Sequence, residues 1–318
     1  MRIRCIRRLP ESLNGGNSRM FNNSYLTSSG VRVYTSVRDN VAGLAYANPD
    51  DPQVMDLLRK CRTRGRDLMS ENSEDALSWS LFHALSSLPT RQWLTDFFSA
   101  AVNESFALKY ADSVNEASIR FWVPHKSPSI YLRWLKDRMA NDQDAVLEHL
   151  GSGSTLRIAR DRLEKILAGD TAEIAERPTE VDIEIRIPGK LLVFIEAKLY
   201  SDISTHGTFN PVRNQIVRNM ELLEDAAQYE GFPDRRFIVL TLNRRDSHCT
   251  EIMRRYRAGD MKALRKWDEP GRWKNLKEDL PHRSGESDEY FVMMTKKMGW
   301  ILWTDCVKLL AHHFALSA

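Results

Sequence analysis

The stretch VDIEIRIPGKLLVFIEAKLY, residues 181–200, constrains the fold of this chain more than any other. An alternating apolar run and a nearly continuous one, separated by Pro188, Gly189 and Lys190, predict a β-hairpin. On the first strand Val181, Ile183, Ile185 and Ile187 share one side, and Asp182, Glu184 and Arg186 the other. On the second, Leu192, Phe194, Glu196 and Lys198 share a face. A three-residue loop pairs Ile187 with Leu191 and sets Asp182 opposite Glu196, with Cβ atoms roughly 5 Å apart. The same register sets Glu180 opposite Lys198. A two-residue loop would instead send the two acids to opposite faces.

Charges in so strongly strand-forming a segment need partners. Facing carboxylates repel unless a cation lies between them. A divalent ion with oxygen ligands fits, since Mg²⁺ takes one or two carboxylates and keeps several waters. The bland reading of the same residues is an exposed sheet face with a Glu180–Lys198 ion pair.

The 318 residues suffice for one large domain or two small ones, and 42% hydrophobic with 28% charged residues is ordinary for a globular chain. With 46 Lys and Arg against 43 Asp and Glu, the net charge of +3 selects no class of partner, so local clusters matter more. No apolar run is long enough to span a bilayer, and the basic start MRIRCIRRLP lacks the apolar segment of a signal peptide. Cys5, Cys61, Cys249 and Cys306 are too scattered for a zinc site, so a reducing, cytoplasmic setting is expected. His312 and His313 point to different sides of any helix.

Residues 1–70 are polar and read as a partly irregular arm with a short strand at VRVYTSV; residues 71–318 read as one domain. Ser73 caps a helix over NSEDALSWSLFHALSSLP, ended by Pro89. Residues 90–175 are largely helical, interrupted by a strand at SIRFWV. After the hairpin come a loop at 201–211, a helix over VRNQIVRNMELLEDAAQY and a strand at RRFIVLTL. A basic helix or helix pair follows at EIMRRYRAGDMKALRKW. EYFVMMT and GWILWT read as strands, and DCVKLLAHHF as a closing helix. This order predicts an α/β fold with a central mixed sheet flanked by helices and a largely helical insertion.

The spacing of Asp182 to the EAK of Glu196, Ala197 and Lys198, at the end of an apolar strand, resembles the PD-(D/E)xK nuclease superfamily, the restriction-endonuclease-like fold. Val181 stands where the family's motif has Pro, with Pro178 a little upstream. The resemblance covers roughly residues 176–245 well and 70–90 more weakly. It implies a Mg²⁺-dependent nuclease, with Mn²⁺ able to substitute, acting on DNA. Asp182 and Glu196 would hold the metal with the backbone carbonyl of Ala197, and Lys198 would assist the attacking water. The family also draws an acid from an earlier helix, with Glu74 the first choice and Glu164 the second. Gln215 of RNQIVRN would support the site, with Arg213 and Arg218 beside it on the nucleic acid. Phosphodiester cleavage needs charge neutralisation at the phosphate oxygens and an activated water, which explains these residue types. The resemblance further implies that two copies can pair to cut both strands, a homodimer for which the sequence shows no surface.

Arg254, Arg255, Lys262 and Arg265 form a basic cluster that reads equally as a phosphate-binding face or a solvated helix face. Glu74 and Asp75 also stabilise a helix start whatever else they do. The rival class is a catalytically silent nucleic-acid-binding protein of the same fold. The residues do not distinguish DNA from RNA, nor restriction from repair or other defence against invading DNA.

Overall fold

The computed structural model describes residues 23–42, 48, 50–150, 153–169, 175–242, 248–256 and 273–317. A two-stranded ribbon, β1 (Ser24–Leu26) and β2 (Arg32–Tyr34), comes first, followed by the short helix α1 (Val37–Asn40) and the long α2 (Pro52–Leu68). Helices α3 (Glu74–Ser86), α4 (Trp93–Ala101) and α5 (Glu104–Tyr110) precede strand β3 (Ser118–His125). The insertion is helical: α6 (Ser129–Asn141), α7 (Gln143–Leu147) and α8 (Ser154–Leu167). The hairpin strands β4 (Thr179–Ile187) and β5 (Leu191–Lys198) follow, then α9 (Gln215–Glu230) and β6 (Asp234–Thr241). The chain closes with α10 (His248–Tyr256), α11 (Trp273–Asp279), α12 (Asp288–Lys296), β7 (Met298–Leu302) and α13 (Trp303–Ser317).

The five long strands make one mixed sheet in the order β3-β4-β5-β6-β7, antiparallel over β3, β4 and β5 and parallel from β5 to β7. β5 is central and buried along its whole length, which is why LLVFI is continuous rather than alternating. On one face Ile183, Ile185, Val193, Ile195 and Ile238 pack against Trp79 and Phe82 of α3 and Phe97 and Phe98 of α4. On the other, Leu192, Phe194, Val239 and Trp300 meet Ile216, Val217 and Met220 of α9 and Phe291 of α12. The insertion has its own small core, built on Tyr131, Leu135, Met139, Leu163 and Phe209. No helix among the described residues is long and apolar enough to cross a membrane.

Ile187 pairs with Leu191, so the loop has three residues, and Gly189 supplies its left-handed residue at φ +64°. The inward alternation of β4 breaks at Asp182. Ile183, Ile185 and Ile187 lie in the first core, whereas Val181 packs in the second. The paired register of β4 with β5 runs only from Ile187 to Ile183.

Two readings of the secondary structure differ from what is observed. EYFVMMT lies within the helix α12, not a strand. The Ser287 side chain accepts from the Tyr290 amide, and Phe291, Met294 and Thr295 are buried at helical spacing, which overrides the strand preference of Tyr, Phe and Val. The polar arm contains the 17-residue α2, capped by Asp51 with Pro52 at its first turn. Its buried face includes Gln53, Asp56 and Lys60 beside Val54 and Leu57, so its polarity concealed a packed helix.

Gly299 of β7 leaves no room for a side chain. An added Cβ would meet the Ala101 carbonyl oxygen at 2.9 Å and Ile238 Cγ1 at 3.0 Å. Gly299→Ala is therefore expected to cost about 1–3 kcal/mol, read as a lower urea midpoint.

Candidate active site

At the carboxyl end of β5 the hairpin strands cease to pair, and polar side chains fill the opening. Asp182 Oδ2 accepts the amide of Ala197 at 2.9 Å. A side chain thus takes up a backbone donor where the β4 ladder has ended. Asp182 Oδ1 has no hydrogen-bond partner among the described residues.

Glu196 is fully buried and held from three sides. Its Oε1 accepts from Gln215 Nε2 at 2.5 Å and pairs with Lys198 Nζ at 2.6 Å. Its Oε2 accepts from Asn219 Nδ2 at 2.6 Å. Gln215 and Asn219 stand one turn apart on α9, whose first turn is fixed by the Asn214 side chain accepting the Val217 amide.

The Ser73 side chain caps α3 by accepting from the Ala76 amide, which places Glu74 in the first turn. Glu74 Oε1 lies 3.3 Å from Lys198 Nζ, and Oε2 accepts from the Leu199 amide at 2.7 Å and the Ser201 hydroxyl at 3.0 Å. Glu74 therefore clasps the end of β5. Glu164 is exposed on α8 and makes no part of this cluster.

Three carboxylates share one ammonium. Burial, then the Glu196 charge, push the Asp182 carboxyl well above its usual range, against the pull of Lys198. Burial also raises Glu74, again opposed by Lys198. Burial alone would lower Lys198, but Glu196, Asp182 and Glu74 together raise it, so it stays an ammonium. In this arrangement Lys198 is a donor and not a base.

Sequence reading missed a second arm of the cluster. Lys60 of α2 is 5% exposed, with Nζ 2.9 Å from Glu180 Oε2 and 3.3 Å from Asp75 Oδ2. Asp75 Oδ1 accepts the indole N–H of Trp122 at 2.6 Å, and Lys60 Nζ lies 5.1 Å from the centre of a Trp122 ring. Trp122 has φ +50°, a strained value for a bulky residue, at the place where β3 skips a pairing opposite Asp182. Glu180 thus pairs with Lys60. Nothing in the pattern of residues 50–70 announced this lysine. Asn219 was legible as the residue one turn after Gln215.

The basic residues are distributed differently. Arg213 is 1% exposed, its guanidinium 3.5 Å from the Tyr131 ring centre and paired with Glu176 at 3.1 Å and Glu221 at 2.6 Å. It joins the insertion to α9 from inside and does not reach the surface. Arg255 bridges to Asp279 at 3.2 Å. Arg254 lies on α10, while Lys262 and Arg265 fall outside the described residues. Arg218 lines the cavity above the acids, which has a volume of about 960 Å³.

Among the described residues no group of three or more His, Cys, Asp or Glu side chains forms a ready-made metal cage. The donor set nevertheless suits a hard cation. Asp182 and Glu196 offer carboxylate oxygens, Mg²⁺ needs only one or two of these, and a single ammonium leaves the acids undercompensated. Comparison with protein-family models, with curated proteins and with solved structures found no match to this chain.

Proposed function

We propose that this protein is a Mg²⁺-dependent nuclease of restriction-endonuclease-like, PD-(D/E)xK type that hydrolyses phosphodiester bonds in DNA. One observation carries the reading: Asp182, Glu196, Lys198 and Glu74 converge at the end of a splayed hairpin, beside an Asp182 oxygen that has no hydrogen bond among the described residues. Asp182 and Glu196 would hold the ion. Mg²⁺, when bound, supplies positive charge at the phosphodiester oxygens and acidifies the attacking water. Lys198, kept charged by three acids, orients that water or steadies negative charge developing on phosphate. Gln215 and Asn219 fix the rotamer of Glu196, and Glu74 fixes Lys198. Mn²⁺ would serve the same oxygen donors.

The test is digestion of linear and circular DNA in Mg²⁺ or Mn²⁺, repeated with Asp182→Ala and Lys198→Ala. Each variant is expected to lose on the order of 10²-fold or more in rate. Equal rates in all three proteins would overturn the assignment. The three contacts already made by Glu196 favour one second reading, a silent nucleic-acid-binding protein. DNA bound by wild type but left intact in either metal would select it.

A further inference from the structure

The cavity over Asp182 has walls that bear on what kind of DNA could enter it. Its floor includes Asp182 and Lys198, which is 9% exposed. Tyr131 and Leu135 of α6, Arg162 of α8 and Phe209 close one side. Arg64 of α2 lies on the wall formed by α2 and the start of α3. A space of about 960 Å³ is on the order of 10 Å in each direction, while the major groove of B-form DNA alone is about 12 Å wide. A single strand fits within this space, whereas a double helix would have to lie across its mouth.

Arginines line this cavity. Arg64, Arg177 and Arg218 make no ion pair among the described residues, and the Nε of Arg218 is buried without any hydrogen-bond partner. Arg64 occupies the only kink described within α2, at φ −138° and ψ 35°. By contrast the acids Asp75 and Glu180 are already met by Lys60. Next to the lining residue Ser201, the ring of Tyr200 is 67% exposed, an aromatic surface of the kind on which unpaired bases stack.

We infer that this site takes single-stranded DNA, its phosphates held by Arg177 and Arg218 with Arg64 at the rim, and a base stacked on Tyr200. The inference rests on the nuclease reading only for which phosphate sits over Asp182. Binding tests it without any metal chemistry. In EDTA, fluorescence anisotropy compares a labelled single-stranded 15-mer with the blunt duplex of the same sequence. The single strand is expected to bind at least about tenfold more tightly. Arg177→Ala and Arg218→Ala should each weaken it about tenfold and shallow its salt dependence by about 0.7 in log–log slope. Tyr200→Ala should weaken it by a similar factor that survives high salt. Lys308→Ala, on α13, serves as a control for the same change in charge. Equal or tighter duplex binding would overturn the inference, as would wild-type affinity in both arginine variants. Digestion in Mg²⁺ separates the two claims. Cutting of duplex alone would sink the single-strand assignment and leave the nuclease standing. Single-strand binding as described, with no cutting, would do the reverse.

Discussion

Asp182→Asn is expected to melt at a higher temperature than the wild type near pH 8 in EDTA, while losing metal-dependent cleavage. The folded Asp182 carboxyl holds its proton more tightly than the same group in the unfolded chain, because burial and Glu196 oppose its charge. Its contribution to stability is therefore greatest below the unfolded value of about 4 and declines as pH rises through the folded value. At alkaline pH the wild type carries the whole penalty, and the amide carries none. Asn can still accept the Ala197 amide, so the contact at 2.9 Å survives. A gain of about 0.5–2 kcal/mol is the usual scale for removing such a functional conflict. The gap between the two proteins should close as pH is lowered toward 4. Melts at a series of pH values read this directly, and a variant less stable than wild type at pH 8 would contradict the electrostatics. Divalent ions should raise the melting temperature of the wild type more than that of Asp182→Asn, by mass action on the folded state.

Arg213→Ala should be among the most destabilising single changes in the chain. The guanidinium is buried between Glu176 and Glu221 and lies on the Tyr131 ring. Removing one partner of a buried ion pair costs about 3–5 kcal/mol, because the other charge stays buried. Here His282 at 2.5 Å and Arg283 at 2.7 Å remain on Glu221 and soften the loss toward the lower figure. Urea unfolding followed by tryptophan fluorescence measures it, and a change below about 1 kcal/mol would refute the account. The network has its own pH signature. Although burial opposes it, His282 and Arg213 lower Glu221 to about 2, so its stabilisation is present above the unfolded value and lost as pH falls toward 2. Asp182 and Glu221 thus tilt the stability curve in opposite directions in different windows, Asp182 above about pH 4 and Glu221 below the unfolded value of a glutamate.

The hairpin was legible because two-residue periodicity and a Pro-Gly-Lys loop fix register locally, and Ile187 does pair with Leu191. The helix start that puts Glu74 in a first turn was legible through the Ser73 cap, which needs no tertiary information. What escaped depends on contacts distant in sequence. Lys60 lies on α2, a helix whose buried face is half polar because Asp56 takes Arg120 in two hydrogen bonds and Lys60 takes Glu180 and Asp75. No periodicity of apolar residues marks such a face. Arg213 was read as a surface cation because its two carboxylate partners, Glu176 and Glu221, come from either side of the hairpin. The helix α12 was misread because its Tyr, Phe and Val weigh toward strand when the Ser287 cap is overlooked.

Neighbouring residues at the start of α3 serve different lysines: Glu74 holds Lys198, and Asp75 holds Lys60 and the Trp122 indole. Consecutive side chains on a helix diverge by about 100° but share one rigid turn, so a roll of α3 shifts both grips together. The two ammonium groups are thereby geared together through a single turn of backbone. A substitution far along α3 that twists it would detune both at once, with no residue of the cavity altered.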